Sequence, residues 1–490
     1  MNSRGNIYQN TILLSSLSVL ERALGFFYRV ALARLLGAEG LGVYQIAVSH
    51  FFLLRTLGGG GLPVTLSRTV AKERAQGKNG ASSLVGALFL SLAITLPITL
   101  LTLLFAGLIP SLNNESGVLK ILVCSLPFAC CYAVIKGYFF GKKQFVATAF
   151  IEFFEEIVMT VCGVILLLIF KGATPLRGAQ YAALAMSLSC VFAATVSAIT
   201  LIKGKIRPRF SPAVIPPLIK GAFPITAMRL SATALQAVSA VLLPAALQKI
   251  GYSPSQALSA FGVATGMVLP LLTAPMTVVG ALSTVLLPEL AEANAKGQKE
   301  RLSFAIEKGL YFTLVLTVGL LPFFYALSKP LCNLLYETPL AGELMQSACI
   351  LLPAMSIAAL TQTYLNSLGH EKNSFVFSIV GAAIFLILLL ILPRFFGIYA
   401  YTIALIVQFF VVGILSLAFL FKHAPPSKRF FRRSALPLLL LPALFPFATA
   451  VARFCARFFS DPFATILTGL TILTVSASLF LLCGVFRKKS

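Results

Sequence analysis

About fourteen stretches of some twenty predominantly apolar residues follow one another along the chain, and no packing of soluble layers buries that much continuous apolar surface. They run approximately over 7–34, 41–63, 81–108, 119–141, 147–170, 178–203, 214–248, 256–288, 303–328, 345–368, 374–393, 398–421, 434–454 and 462–486. A helix of about 20 residues crosses the hydrocarbon of a bilayer. There each backbone N–H and C=O must find its partner inside the protein, which selects helices for segments of this length. The gaps between stretches are too short for a soluble domain. The composition agrees: 58% of the 490 residues are hydrophobic and 11% charged, with a mean hydropathy of +0.93. Soluble domains carry about 25% charged residues, so an ordinary cytosolic enzyme is excluded. The expectation is an all-α polytopic membrane protein. The first stretch is too long for a cleavable signal peptide, holds Glu21, Arg22 and Arg29, and lacks a small-residue cleavage pattern.

Charge gives the orientation. There are 39 Lys and Arg against 15 Asp and Glu, a net charge of +24. The basic residues sit in short runs between apolar stretches, which excludes a nucleic-acid partner and points to anionic membrane lipid. With alternate loops assigned to alternate sides, Arg68, Lys72, Arg74 and Lys78, then Lys136, Lys142 and Lys143, then the runs near Lys203, Lys296 and Lys428 and the tail Arg487-Lys488-Lys489 all fall on one face. That bias places both termini in the cytoplasm and the chain in the cytoplasmic membrane as a multi-pass protein. The nine Cys lack paired spacing and most lie in apolar runs, so they read as small hydrophobes, with no disulfide or metal site expected. No Walker loop, nucleophile elbow or His/Cys ligand spacing occurs. Neither a catalytic residue nor a cofactor is therefore expected, and the chain does not read as an enzyme.

Two internal echoes suggest a duplicated architecture. Gly61 to Lys78 resembles Gly280 to Lys299, with Ala75-Gln76-Gly77 against Ala295-Lys296-Gly297. Gly141-Lys142-Lys143-Gln144 resembles Gly369-His370-Glu371-Lys372. The similar offsets relate spans 1–6 to spans 7–12. The expected domains are an N-terminal lobe over 1–205, a C-terminal lobe over 206–422, and an appended helix pair with a basic tail over 423–490.

The candidate site residues come from polar stripes inside the spans. Tyr8, Thr11, Ser15, Ser18, Arg22, Gly25 and Arg29 step by three and four, which puts them on one helix face. An Arg near the bilayer centre costs about 2.5–3.5 kcal/mol on insertion scales, so such a stripe belongs beside a watery cavity. Arg29 also suits snorkelling to the outer interface, and Arg22 a pairing with Glu21 or a carbonyl. Thr226, Arg229, Thr233, Gln236 and Ser239 form the corresponding stripe in span 7, so that Arg22 and Arg229 are expected to face one cavity. Arg55, just before Gly58-Gly59-Gly60-Gly61, is either a further cavity charge or a cytoplasmic anchor. Guanidinium groups suit phosphate because their planar fork donates paired hydrogen bonds. The expected anion site is Arg22, Arg29, Arg55 and Arg229, with Ser18, Thr233 and Gln236 as polar lining.

Carboxylates are few. The single Asp is Asp461, and Glu21 with Glu152, Glu155 and Glu156 are the intramembrane acids. Glu21 and Glu155 are the candidates for ion coupling, the alternative being acids near a helix N-terminus that offset its dipole and Lys142 and Lys143. His50 reads as a hydrogen-bonded packing residue.

Several strings resemble a known family. They are Glu21-Arg22-Ala23-Leu24-Gly25-Phe26 with Arg29, Leu36-Gly37-Ala38-Glu39-Gly40-Leu41-Gly42-Val43-Tyr44, Lys136-Gly137-Tyr138-Phe139-Phe140-Gly141 followed by Glu155, Phe223-Pro224-Ile225-Thr226 with Arg229, Gly251-Tyr252-Ser253, and Gly266 through Pro270 on to Leu287-Pro288-Glu289. Together they resemble the polysaccharide-biosynthesis proteins that include stage V sporulation protein B. These belong to the multidrug/oligosaccharidyl-lipid/polysaccharide (MOP) flippase superfamily, which also holds the lipid II flippase. The resemblance implies a MATE-like fold of two pseudo-symmetric six-helix lobes plus an appended C-terminal pair. It implies alternating access that moves an undecaprenyl-pyrophosphate-linked oligosaccharide or peptidoglycan precursor, leaning toward the spore cortex. In lipid II flippases, cavity arginines lie in spans 1, 2 and 8, and Arg22, Arg29 and Arg55 are similar to the first two sets. The chain departs from the pattern at Thr265-Gly266, where an Asp-Arg pair is expected, and at Met159, where the family commonly has a basic residue. The implied partners are the lipid-linked glycan, membrane lipids and cell-envelope synthesis enzymes. A cation-coupled exporter of the MATE type and a non-transporting scaffold for envelope synthesis stand as alternatives.

Overall fold

The computed structural model describes residues 2–105, 116–203, 210–458 and 461–482. The side chains of Tyr8, Thr11, Ser15 and Asp461, and the whole of Lys205 to Arg209 at the expected boundary between the two lobes, lie outside the described residues. Among the described residues the structure is helical without strands: α1 (Asn2–Gly59), α2 (Leu62–Ala75), α3 (Ala81–Phe105), α4 (Ser116–Cys124), α5 (Leu126–Gly141), α6 (Phe145–Ile169), α7 (Pro175–Lys203), α8 (Ile215–Lys249), α9 (Pro254–Gly262), a π-helical turn (Val263–Val268), α10 (Leu269–Thr273), α11 (Met276–Ala295), α12 (Lys299–Tyr336), α13 (Pro339–Ala348), α14 (Leu351–Ser367), α15 (Glu371–Ile391), α16 (Pro393–Phe396), α17 (Tyr399–His423), α18 (Lys428–Phe458) and α19 (Asp461–Leu482).

This is a multi-pass membrane protein. Nine helices among the described residues are long and apolar enough to cross a membrane, and eleven when the bent pairs α4–α5 (40°) and α13–α14 (53°) each count as one span. Fourteen is not reached on that basis. The first expected span carries Glu21, Arg22 and Arg29, the second Gln45, His50 and Arg55, and the fifth Glu152, Glu155 and Glu156, while the last runs beyond the described residues. The single span expected over 256–288 falls on two candidate spans, Pro254–Thr273 and Met276–Ala295. Large apolar side chains are left exposed, among them Ile202, Val285 and Leu439.

The chain divides into two compact units, one of residues 1–244 with 254–262 and one of 245–253 with 263–490. In the first unit α1 packs against α6, α7 and α9, and α2 against α5. Its core includes Leu66, Leu84, Tyr138, Phe139 and Leu218. The first two expected spans form one long helix, bent at Gly37 (φ 67°, ψ 178°), a backbone conformation open essentially to glycine. After the bend α1 meets α9 backbone to backbone: a Cβ on Gly42 would lie 2.1 Å from the Leu258 carbonyl oxygen, and one on Gly262 2.2 Å from that of Ala38. Small residues permit this approach, which van der Waals packing rewards inside a membrane. Beside the crossing, Ser255 Oγ donates to Glu39 Oε2 at 2.6 Å.

In the second unit α12 packs against α13, α18 and α19, and α17 against α14 and α15. Leu286, Leu290, Ile306, Leu360 and Tyr364 lie in its core.

Both sequence echoes are helix C-caps of one design. After α2 the amide of Gly77 donates to Arg74 O and that of Lys78 to Glu73 O; after α11 Gly297 donates to Asn294 O and Gln298 to Ala293 O. Lys143 donates to Phe140 O and Gln144 to Phe139 O after α5, as Gly369 donates to Asn366 O and His370 to Leu365 O after α14, so the cap makes Lys143 and not Gly141 the counterpart of Gly369 and corrects the register of the second echo by two residues. These are the paired hydrogen bonds of a Schellman cap, with Gly77, Gly297, Lys143 and Gly369 all at positive φ. One member of each pair lies in each unit.

Candidate functional site

The site in the first unit starts from a helix that stops and restarts. Pro63 has no N–H, and its ring excludes the carbonyl of the residue four before it, so the helix of Gly37–Gly59 ends and α2 begins anew at Leu62. Gly60 and Gly61 fall between the two. The break frees a carbonyl and an amide that a membrane interior cannot leave unpaired. Both are taken up by α8: Arg229 Nη1 donates to Gly60 O at 2.6 Å, and Gly61 N donates to Thr226 Oγ1 at 2.9 Å. The approach needs glycine, since a Cβ on Gly61 would lie 2.1 Å from Ala222 O and 2.8 Å from Thr226 Oγ1.

A cavity of about 300 Å³ opens at this junction. Its charged wall is Arg55 and Arg229, its polar wall Thr56, Thr233 and Gln236, and its apolar wall includes Phe52, Pro63 and Ala133. Arg55 is thus at the cavity, together with Arg229, Thr233 and Gln236 of the span 7 stripe. The start of α2, through Pro63 on the cavity wall, adds the positive end of a helix dipole, which suits an anion. Arg22, Arg29 and Ser18 are exposed on α1 and are not part of this wall. Thr233 Oγ1 bonds to Arg229 O at 3.2 Å, while Thr56 Oγ1 bonds to Phe52 O at 2.8 Å.

A second polar group lies between α1, α5 and α6. Lys136 of α5 forms an ion pair with Glu152 of α6, both side chains about 30% exposed. Glu156 Oε1 reaches α1, sitting 2.8 Å from where a Cβ on Gly25 would be. Glu21 is in electrostatic reach of Glu152, Lys136 and Arg22, Glu155 of Arg55, Glu152, Glu156 and Lys136, and Glu156 of Glu21 and Arg29. The buried hydroxyls of Tyr28 and Tyr132 have no hydrogen-bond partner among the described residues. The two ion-coupling candidates, Glu21 and Glu155, therefore belong to one network with Glu152, Glu156 and Lys136. The reading of these acids as N-terminal dipole compensation is corrected: α6 begins at Phe145 and has no acidic residue in its first turn.

Loop counting missed Lys136, which it assigned to a cytoplasmic flank although the residue lies inside α5. The available signal was the spacing of Glu152 and Glu156, one turn apart on a helix face that requires a cation opposite. His50 accepts or donates within its own helix, with Nδ1 2.8 Å from Ile46 O, as a packing residue does. The eight described cysteines are free, and no group of three or more His, Cys, Asp or Glu gathers as a metal-ligand set among the described residues.

Comparison with known proteins joins this geometry to a family. Stage V sporulation protein B of Bacillus subtilis (strain 168) is 25% identical over 444 residues, covering 86% of this chain and 84% of that protein. Sporulation protein YkvU of the same organism is 22% identical over 347 residues, covering 68% and 76%. Among solved structures, lipid II flippase MurJ in an inward closed conformation superposes with a TM-score of 0.75 at 18% identity, covering 97% of this chain and 100% of that one. An inward-facing multidrug resistance MATE family transporter of the MOP superfamily gives 0.68 at 15% identity, covering 85% and 95%. These two likenesses show the fold, a MATE-like one. Residues 7–294, more than half of the chain and all but the first six residues of the unit that carries the cavity, match the family described as polysaccharide biosynthesis protein, and the chain belongs to that family.

Proposed function

We propose that this protein is a flippase, and not an enzyme, that carries an undecaprenyl-pyrophosphate-linked oligosaccharide or peptidoglycan precursor across the cytoplasmic membrane by alternating access. The observation that carries the reading is the meeting of two guanidinium groups, Arg55 and Arg229, with a helix N-terminus on one intramembrane cavity. Fixed positive charge there has no use for a cationic or neutral cargo and a direct use for a diphosphate. The cavity's volume of about 300 Å³ is at the low end of the ~300–1,000 Å³ of small-ligand sites, so it receives the diphosphate and adjoining sugar while the prenyl chain stays in lipid. Thr233 and Gln236 supply neutral hydrogen bonds to sugar hydroxyls. Arg22 and Arg29, with Ser18, extend the positive and polar surface along α1 for loading. A cationic site also senses the membrane potential, worth about 2.3 kcal/mol per charge per 100 mV. In this reading both termini are cytoplasmic, residues 1–205 and 206–422 form the two lobes, and 423–490 form an appended pair. Likeness to the sporulation relatives favours spore cortex precursor as cargo and envelope-synthesis enzymes as neighbours.

The test is reconstitution in liposomes with fluorescent lipid II and, separately, a fluorescent undecaprenyl-pyrophosphate sugar, comparing wild type with Arg55→Gln and Arg229→Gln. Each charged hydrogen bond lost is worth roughly 1.5–3 kcal/mol, so apparent affinity falls about 10- to 150-fold per variant. Unchanged translocation in both variants refutes the reading.

The Glu21, Glu152, Glu155 and Glu156 network favours a second reading, a cation-coupled exporter of the MATE type. Glu21→Gln with Glu155→Gln separates the two. An exporter loses its coupling ion, whereas a flippase driven by substrate and potential keeps translocating.

A further inference from the structure

The α1–α2 break does more than open a cavity wall. A free Arg side chain samples many rotamers, and fixing one on binding costs affinity that a preorganised group does not lose. Arg229 is exposed at the cavity, yet one of its five N–H donors is already engaged by Gly60 O at 2.6 Å. That carbonyl is free to accept only because the helix is broken. The break is held in turn by Thr226, one turn before Arg229 on α8, whose hydroxyl oxygen accepts the Gly61 amide at 2.9 Å. A closed circuit results: Thr226 and Arg229 on one helix grip the two orphaned backbone groups of another.

We propose that Thr226 is a positioning residue for anion recognition: by holding the Gly60–Gly61 break it presents the Gly60 carbonyl to Arg229, which orients the guanidinium and leaves its remaining N–H donors for a diphosphate. The proposal rests on Arg229 being a diphosphate ligand. Arg55 does not share the device, since no bond links it to the break. The carbonyl engages Nη1 alone, which leaves the Nε–Nη2 edge for the fork-on-phosphate geometry that gives Arg its advantage over Lys.

The experiment uses full-length protein in nanodiscs, a fluorescent undecaprenyl diphosphate as probe for Kd, and liposome translocation for KM and kcat. Four variants are compared with wild type: Thr226→Val, Thr226→Ser, Arg229→Lys, and Thr226→Val with Arg229→Lys. Thr226→Val keeps the shape and removes the acceptor. It weakens probe binding and raises KM roughly tenfold, as a misoriented binding group does, with kcat within about twofold. Thr226→Ser, which keeps the hydroxyl, stays within about twofold of wild type. On the Arg229→Lys background, which has no fork to orient, Thr226→Val adds less than about twofold. Full additivity in the double variant, or equal losses for Thr226→Ser and Thr226→Val, assigns Thr226 a purely structural role and overturns the proposal. Should Thr226→Val lower the thermal midpoint too far for assay, Thr226→Ala, which also removes the acceptor, takes its place alone and on the Arg229→Lys background, with the same outcomes deciding. If Arg229→Lys itself leaves probe binding unchanged, the diphosphate reading fails and the proposal with it. A loss with Arg229→Lys but none with Thr226→Val overturns the positioning role alone.

Discussion

The crossing of α1 and α9 makes a quantitative prediction for Gly42→Ala. The new Cβ lies 2.1 Å from Leu258 O and 2.8 Å from the carbonyl carbon. Ordinary C···O contact begins near 3.3 Å, so the helices must separate by about 1.2 Å. A backbone carbonyl cannot swing aside as a side chain does, which puts the overlap at the upper end of the ~1–3 kcal/mol cost of overpacking. The better helix propensity of Ala returns about 1 kcal/mol, for a net loss of about 2 kcal/mol. At roughly 2–4 °C per kcal/mol for a unit of this size, the thermal midpoint falls by about 4–8 °C. Gly280→Ala is the matched control: it is also inside a helix, but nothing lies within 4 Å of its Cβ position, so only the propensity gain applies and the midpoint rises by about 2–4 °C. The chain has no Trp, and unfolding is followed by reaction of a maleimide dye with buried thiols such as Cys190 in the first unit and Cys332 in the second. A Gly42→Ala midpoint equal to or above wild type in the same detergent would falsify the close crossing.

Other consequences are checked in the same preparation. Lys136→Gln or Glu152→Gln alone strands a partner inside the membrane and destabilises by about 1–2 kcal/mol, reduced from the fully buried value because both side chains are about 30% exposed. The double variant recovers most of that loss, and two single losses that simply add in calorimetry would count against the pair. Gly61→Ala drives a Cβ into Ala222 O and abolishes translocation of the fluorescent lipid, whereas Gly77→Ala, distant from any atom, leaves translocation intact and costs only the strain of a positive φ. Arg22→Gln and Arg29→Gln, away from the cavity wall, slow loading more than they weaken bound-state affinity, which stopped-flow binding separates from Kd.

The helical, membrane-spanning class was legible because hydropathy is a local property: a run of apolar residues long enough to span lipid has one stable solution whatever its neighbours do. The first echo was legible for a similar reason, since a Schellman cap is built within six or seven consecutive residues, whereas the second was paired two residues out of register because Lys143 takes the positive-φ position that Gly369 takes. The span 7 stripe was visible as spacing on one helix, and Thr233, Gln236 and Arg229 do meet at the cavity. Partnership was not legible. Lys136 looked like a loop charge because a count of Lys and Arg records where a residue falls in the chain and not which carboxylate lies beside it. Arg22 shares a spacing pattern with the cavity residues yet sits off the wall, because periodicity defines a face of a helix without saying what that face meets.

What the sequence determined alone was therefore a helical, membrane-spanning chain with cations placed inside its spans, because those properties follow from the cost of bare backbone and charge in lipid. Only the tertiary structure decided that Gly58-Gly59-Gly60-Gly61 would become a break gripped by Arg229 and Thr226. Four glycines and a proline permit an interruption, but whether its orphaned carbonyl and amide are tolerable depends on donors and acceptors far away in sequence that arrive only when the helices pack.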